Sequence, residues 1–267
     1  QGLFGSSWVP PPSGASRPLH CCAMPRQSVL YVHGWGAEYP AECPVAHELE
    51  RLLGGAPVDL HTPTYHPDGD VKGTRIEPFL AELASEARRQ PGGRFAAVVG
   101  CSFGGLLASL FQERFPELVG RMVLLAPAID NFARNYSGVP EAERRMPQDF
   151  VSELHSLPAR PAIKVPTALL HGLLDDDKGG SAPWRAREWT AAQGFSAAHF
   201  PEGVDHSLEP WLSAPAAGLD APPLGALVRW ALEPAQRLGL PTSCRQDREM
   251  AQEERARHGT GDGECVF

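Results

Sequence analysis

Three side chains of different type, spread along the chain, could together cleave a carbonyl bond: Ser102, Asp175 and His206. The first lies in Gly100-Cys101-Ser102-Phe103-Gly104, which fits the pattern G-x-S-x-G. The all-apolar run 95–99 directly precedes this segment, and the helical pattern 104–115 directly follows it. A strand–turn–helix setting is what a nucleophile elbow requires, because the serine must stand on a sharp, strained turn with its oxygen exposed. Glycines on either side remove side chains that would strike the adjoining strand and helix. The turn also puts the hydroxyl near a helix N-terminus, whose N–H groups favour a developing negative charge. Outside that setting the same letters are a Gly-rich turn with an incidental serine.

A serine hydroxyl attacks well only when a base takes its proton. Of the ten histidines, His206 lies on a loop late in the chain, after the strand-like run 195–200 and before the helical run 224–232. From the carboxyl edge of a sheet such a loop reaches the elbow. His199 falls inside a strand pattern and is expected to be packed, His47 and His155 fall on helix faces, and His61 and His66 fall in a long loop where they could line a pocket. The base in turn needs a carboxylate to hold its tautomer and stabilise its cation. Asp175, Asp176 and Asp177 follow the apolar run 165–170, and the spacing G-x-x-D from Gly172 favours Asp175. Asp176 and Asp177 are read as solvated or capping a helix, and Asp130 stays open as a substitute. His33-Gly34-Trp35-Gly36 follows the first strand-like run. In a nucleophile-elbow geometry the oxyanion takes one backbone N–H from the residue after the nucleophile, here Phe103, and one from such an early loop, here Trp35.

These residues need a scaffold that gathers loops at one edge. Apolar runs at 28–32, 57–60, 95–99, 121–126, 165–170 and 195–200 alternate with helical runs at 44–53, 76–89, 104–115, 182–193 and 224–232, of which 76–89 is clearly amphipathic. Continuous apolar strands separated by helices predict an α/β protein with a mostly parallel, doubly wound sheet covered on both faces. The polar stretch 130–161, with four prolines and one helical run at 150–157, interrupts the alternation and is read as a small cap insertion over the carboxyl edge. The expected organisation is a Pro/Ser/Gly-rich disordered lead-in at 1–25, one domain at 26–235, and a polar charged tail at 236–267.

Composition sets limits on the rest. The 267 residues are 42% hydrophobic, enough for one large core. The net charge of -8, with no Lys/Arg block, gives no footprint for nucleic acid. No apolar run reaches the roughly 20 residues of a membrane-spanning helix. Residues 1–26 lack a basic-then-apolar leader, so a cytoplasmic location is expected. The six cysteines form no scaffold and no zinc spacing, so free thiols are expected, and acyl transfer by the three side chains calls for no metal or organic cofactor.

With these motifs in place the sequence resembles the α/β-hydrolase superfamily. The matching parts stand in family order: His33-Gly34 after an early strand, Gly100 to Gly105 at the elbow, then Asp175, then His206. The resemblance covers about 26–235 and is nearest to compact esterase-like serine hydrolases with a minimal cap. The segment D-x-P-G-x-G-x-S of many cap-bearing members is missing, with Asp59-Leu60-His61-Thr62-Pro63 in its place. A serine rather than an aspartate at the elbow argues against dehalogenase or epoxide-hydrolase chemistry. The resemblance implies hydrolysis of a small-molecule carboxylic ester, or a thioester, through an acyl-enzyme. The alternative is a non-catalytic ligand receptor or scaffold on the same fold, which a fluorophosphonate probe would fail to label.

Overall fold

The computed structural model describes residues 26–35, 43–66, 74–130, 148–175, 182–213 and 221–233. Within them six apolar runs become strands: β1 (Gln27–Val32), β2 (Val58–His61), β3 (Phe95–Cys101), β4 (Val119–Leu125), β5 (Thr167–Leu170) and β6 (Ala197–His199). Every neighbouring pair is parallel, in the order β2-β1-β3-β4-β5-β6. Parallel strands cannot be joined by tight hairpins, so helices fill the crossovers. These are α1 (Pro44–Leu53), α2 (Ile76–Arg89), α3 (Phe103–Arg114), α4 (Gln148–Ser156) and α5 (Pro183–Ala192). Two more, α6 (Glu209–Ser213) and α7 (Leu224–Leu232), follow the last described strand.

Alternation along each strand feeds two cores. Leu30, Val32, Val98 and Leu124 pack with Leu80 and Leu83 of α2, Leu107 and Phe111 of α3, and Trp189 of α5. Val29, Tyr31, Ala97 and Val99 point the other way, onto Val45 and Leu49 of α1 and Leu227 and Trp230 of α7. Both faces are covered, which is why these strands read as unbroken apolar runs. Helix α3 is buried from Phe103 to Gln112, so it has no polar stripe and little amphipathic signal.

The helical run expected at 150–157 is α4, and it docks on α2. The N-cap of α2 is Arg75, which offers no acceptor oxygen. The Glu153 carboxylate of α4 supplies it, accepting the backbone N–H groups of Ile76 at 3.1 Å and Glu77 at 2.9 Å. An Arg75–Asp149 ion pair joins the same two helices. Phe150, Val151 and Leu154 enter the α2–α3 core. The run expected at 195–200 contracts to the three residues of β6, and α6, only five residues long, has no counterpart in the sequence pattern. The lead-in at 1–25, the tail from 236, and 131–147 of the insertion lie outside the described residues. Among the described residues no helix is long and apolar enough to cross a membrane.

Candidate active site

The carboxyl ends of β3, β5 and β6 hold the three side chains singled out in the sequence. Ser102 stands between β3 and α3 with φ 52° and ψ −123°, a left-handed backbone that a residue with a Cβ rarely adopts. The end of β4, the loop after it and the first turn of α3 hold it there. Its N–H donates to Leu125 O at 2.9 Å, and its carbonyl accepts the N–H of Ala128 at 2.9 Å and of Gly105 at 2.9 Å. The turn is tight enough to demand glycine. A Cβ on Gly104 would lie 2.1 Å from Val32 O and 2.3 Å from His33 O, and one on Gly100 would lie 2.7 Å from Gly104 O. Cys101, next to the serine, is no rival nucleophile, because burial and the neighbouring Cys43 push its thiol up to about 12.

His206 and Asp175 meet because two loops are laced together. Past the end of the β5–β6 ladder, Leu173 N–H donates to Pro201 O at 3.1 Å and Leu174 N–H to Val204 O at 2.9 Å. Gly172 lets the strands come this close, since a Cβ there would sit 2.1 Å from Val204 O. The His206 loop is a compact turn, with Asp205 Oδ1 accepting from Ser207 N–H at 3.0 Å and from the Ser207 hydroxyl at 2.6 Å. In the result His206 Nδ1 lies 2.7 Å from Asp175 Oδ2 and His206 Nε2 lies 2.8 Å from Ser102 Oγ.

The electrostatics fix the proton positions. Burial pushes the Asp175 carboxyl up, but hydrogen bonds from His171 and His206 outweigh it and hold the group down to about 2. An ionised carboxylate only accepts, so His206 Nδ1 presents an N–H to Asp175, and Nε2 is the ring nitrogen that faces the serine hydroxyl. Exposure rises along the chain of groups, from Asp175, fully buried at its side chain, to His206 at 25%. Asp130, the substitute acid left open by the sequence, also has a positive φ, but its carboxylate is taken by Arg160, whose Nε lies 2.7 Å from both oxygens. Asp176, Asp177 and Gly36 lie outside the described residues.

The early loop runs alongside the elbow. A Cβ on Gly34 would lie 3.3 Å from Ser102 Cβ. His33 shapes this loop: its Nδ1 lies 2.8 Å from Gly34 O, and burial lowers its pKa, so the neutral ring donates to that carbonyl. Trp35 stacks on Phe150 of α4, ring centroids 4.9 Å apart, and meets the edge of Phe103 at 5.3 Å. Phe103 opens α3, where first-turn N–H groups have no carbonyl within the helix to bond. Phe150 is fully buried, so it acts as backing for Trp35 and not as free pocket surface. Sequence reasoning missed His171 and the backing role of His66, whose ring meets Trp35 edge-on at 4.9 Å and whose Nδ1 bonds Thr74 Oγ1 at 2.7 Å. Burial and the nearby His33 lower His66 to about 4. Among the described residues no group of three His, Cys, Asp or Glu side chains is placed to hold a metal ion.

Comparison with known proteins adds the following. The family model described as the alpha/beta hydrolase family matches residues 29–263. The biotin biosynthesis bifunctional protein BioHC of Teredinibacter turnerae is 31% identical over 106 residues, which make up 39% of this chain and 18% of that protein. The match therefore takes in less than a fifth of that relative's length. Among solved structures, alpha/beta hydrolase domain-containing protein 10 from mouse aligns with a TM-score of 0.53 at 19% identity, over 68% of this chain and 82% of that one. Est1E from Butyrivibrio proteoclasticus, in a structure with ferulic acid bound, aligns with a TM-score of 0.56 at 13% identity, over 86% of this chain and 90% of that one. At these identities the likeness to both structures is one of fold.

Proposed function

Since this chain belongs to the alpha/beta hydrolase family, we propose that it is a serine hydrolase of small carboxylic esters or thioesters, with Ser102 as nucleophile, His206 as base and Asp175 as the acid behind it. The observation that carries the proposal is the unbroken relay Asp175 Oδ2–His206–Ser102 Oγ, 2.7 and 2.8 Å per link, ending on a serine with φ 52°. That spacing is within the reach general-base catalysis needs.

The chemistry follows from the proton positions. Ser102 Oγ forms a bond to the substrate carbonyl carbon while its proton passes to His206 Nε2. The imidazolium is stabilised by Asp175, which stays ionised. The carbonyl oxygen becomes an oxyanion, received by the backbone N–H groups of Phe103 and Trp35. Each such donor is worth about 2.7–4 kcal/mol in acyl-transfer enzymes. Collapse breaks the bond to the leaving alcohol or thiol, which takes the proton from Nε2. Water then attacks the acyl-serine carbonyl carbon and gives one proton to Nε2; collapse breaks the acyl–Oγ bond, releases the acid, and returns that proton from Nε2 to Ser102 Oγ.

An oxygen ester is the first choice of substrate and a thioester the second, because the same relay serves both leaving groups. Ser102→Ala tests the assignment. The variant should stay folded, lose covalent labelling by a fluorophosphonate, and lose turnover of a p-nitrophenyl ester by about four to six orders of magnitude. Wild-type turnover in that variant would overturn the assignment. A folded wild-type protein that fails to label would favour the receptor alternative.

A further inference from the structure

The relay leaves one buried imidazole out of account. His171 follows the last residue of β5 and is fully buried. Its Nε2 lies 3.2 Å from Asp175 Oδ2, the oxygen that also faces His206 Nδ1 at 2.7 Å. The other carboxylate oxygen, Asp175 Oδ1, has no hydrogen-bond partner among the described residues. Both imidazoles therefore converge on one oxygen, and since an ionised carboxylate cannot donate, each presents an N–H to it.

We infer that His171 is a positioning residue for the hydrolytic relay, its Nε2–H anchoring Asp175 Oδ2 at the point where His206 meets it. The inference rests on the proposed roles of Ser102, His206 and Asp175. The contrast between the two imidazoles supports it. His206 sits on a turn and is 25% exposed at its side chain. His171 is sealed in the core, and its backbone N–H extends the β5–β6 ladder by bonding His199 O at 2.9 Å. A carboxylate held only by the exposed ring would share that ring's motion and could rotate about its own side-chain bonds. A second donor fixed to the sheet removes that freedom, so that the His206 ring is oriented by the scaffold and not the reverse. The groups that face Asp175 are His171, from the end of β5, and His206, from the loop after β6; among the described residues no Lys or Arg pairs with it.

Three variants and one measurement on the unaltered protein test this. In the wild type, long-range 15N NMR should find the His171 ring protonated at Nε2; an unprotonated Nε2 overturns the inference without any mutation. His171→Leu removes the donor and keeps the volume. Its kcat should fall about 10- to 100-fold with KM little changed, the effect expected of a slightly misplaced reacting group. The Asp175 carboxyl, followed by 13C NMR, should stay ionised at pH 3 in the wild type and take up a proton above pH 3 in the variant. His171→Gln, whose amide can donate from nearly the same place, should recover most of the rate and the low titration. If His171→Leu does not fold, His171→Met replaces it. A variant with wild-type kcat and an unmoved carboxyl titration overturns the proposal, and so does a loss of rate that only follows the loss of folded protein. The titration and the tautomer need no turnover. If Ser102→Ala shows that the relay itself is wrongly assigned, they still decide whether His171 anchors Asp175.

Discussion

At the residue scale the relay makes opposite demands on two aspartates at the ends of neighbouring strands. Asp175 faces His206 directly, while Asp130 is engaged by Arg160. Asp175→Asn is therefore expected to lower kcat by about 10⁴-fold, the loss seen when a triad base is left in the wrong tautomer. Asp130→Asn should keep the rate per folded molecule within a few fold, and ester kinetics on both variants, corrected for folded fraction, check the pair. A pH dependence of stability follows from Asp175 as well. Its carboxyl lies below the ordinary 3.8, at about 2. The folded state thus binds this proton less readily than the unfolded chain does. The stabilisation, about 2 kcal/mol, is complete above about pH 4 and is lost as the pH falls through about 2. Urea unfolding should show the gap between wild type and Asp175→Asn narrowing from pH 6 to pH 3. His66, held neutral down to about 4, pulls the same way over a higher window. Below pH 6.5 the unfolded chain gains a proton that the folded one refuses, so His66→Gln should flatten the loss of stability between pH 6.5 and 4.

At the element scale the elbow and the α4–α2 junction carry the mechanical load. Gly104→Ala would place a carbon 2.1 Å from a backbone carbonyl that cannot give way, because Val32 belongs to a central strand. A loss of about 4 kcal/mol or more is expected, seen as failure to fold or a large drop in the thermal midpoint. Glu153→Ala strips α2 of the only carboxylate seen on its first N–H groups among the described residues. It should cost about 1 kcal/mol, the usual worth of an N-cap, and thermal denaturation would read it. Because α4 also backs Trp35 through Phe150, the same variant should raise KM more than it lowers kcat. No local pattern marks this junction: a cap is looked for next to its helix, and this one comes from 76 positions away.

At the scale of the whole molecule, the expected outcome is activity on activated esters, read with p-nitrophenyl esters of graded chain length beside acyl-CoA thioesters. Dialysis against EDTA should leave the rate unchanged, because every proton and charge in the proposed cycle is handled by side chains and backbone N–H groups. Much of this was legible beforehand. The alternation of apolar and helical runs determined a parallel sheet covered on both faces, since burial on two sides leaves a strand nowhere to place polar residues. The G-x-S-x-G segment between a strand and a helix determined which serine would sit under strain, because that backbone conformation is a local property. What lay out of reach were relations between distant segments. Which of several carboxylates meets the imidazole was decided by the lacing of the loops after β5 and β6, with Gly172 letting Val204 approach. That Asp175 takes a second imidazole from His171 could not be read either. Four residues apart says nothing about direction until the turn at Gly172 folds the carboxylate back over the strand end. Spacing along a chain records local conformation, whereas a contact between side chains depends on where the whole sheet has carried them.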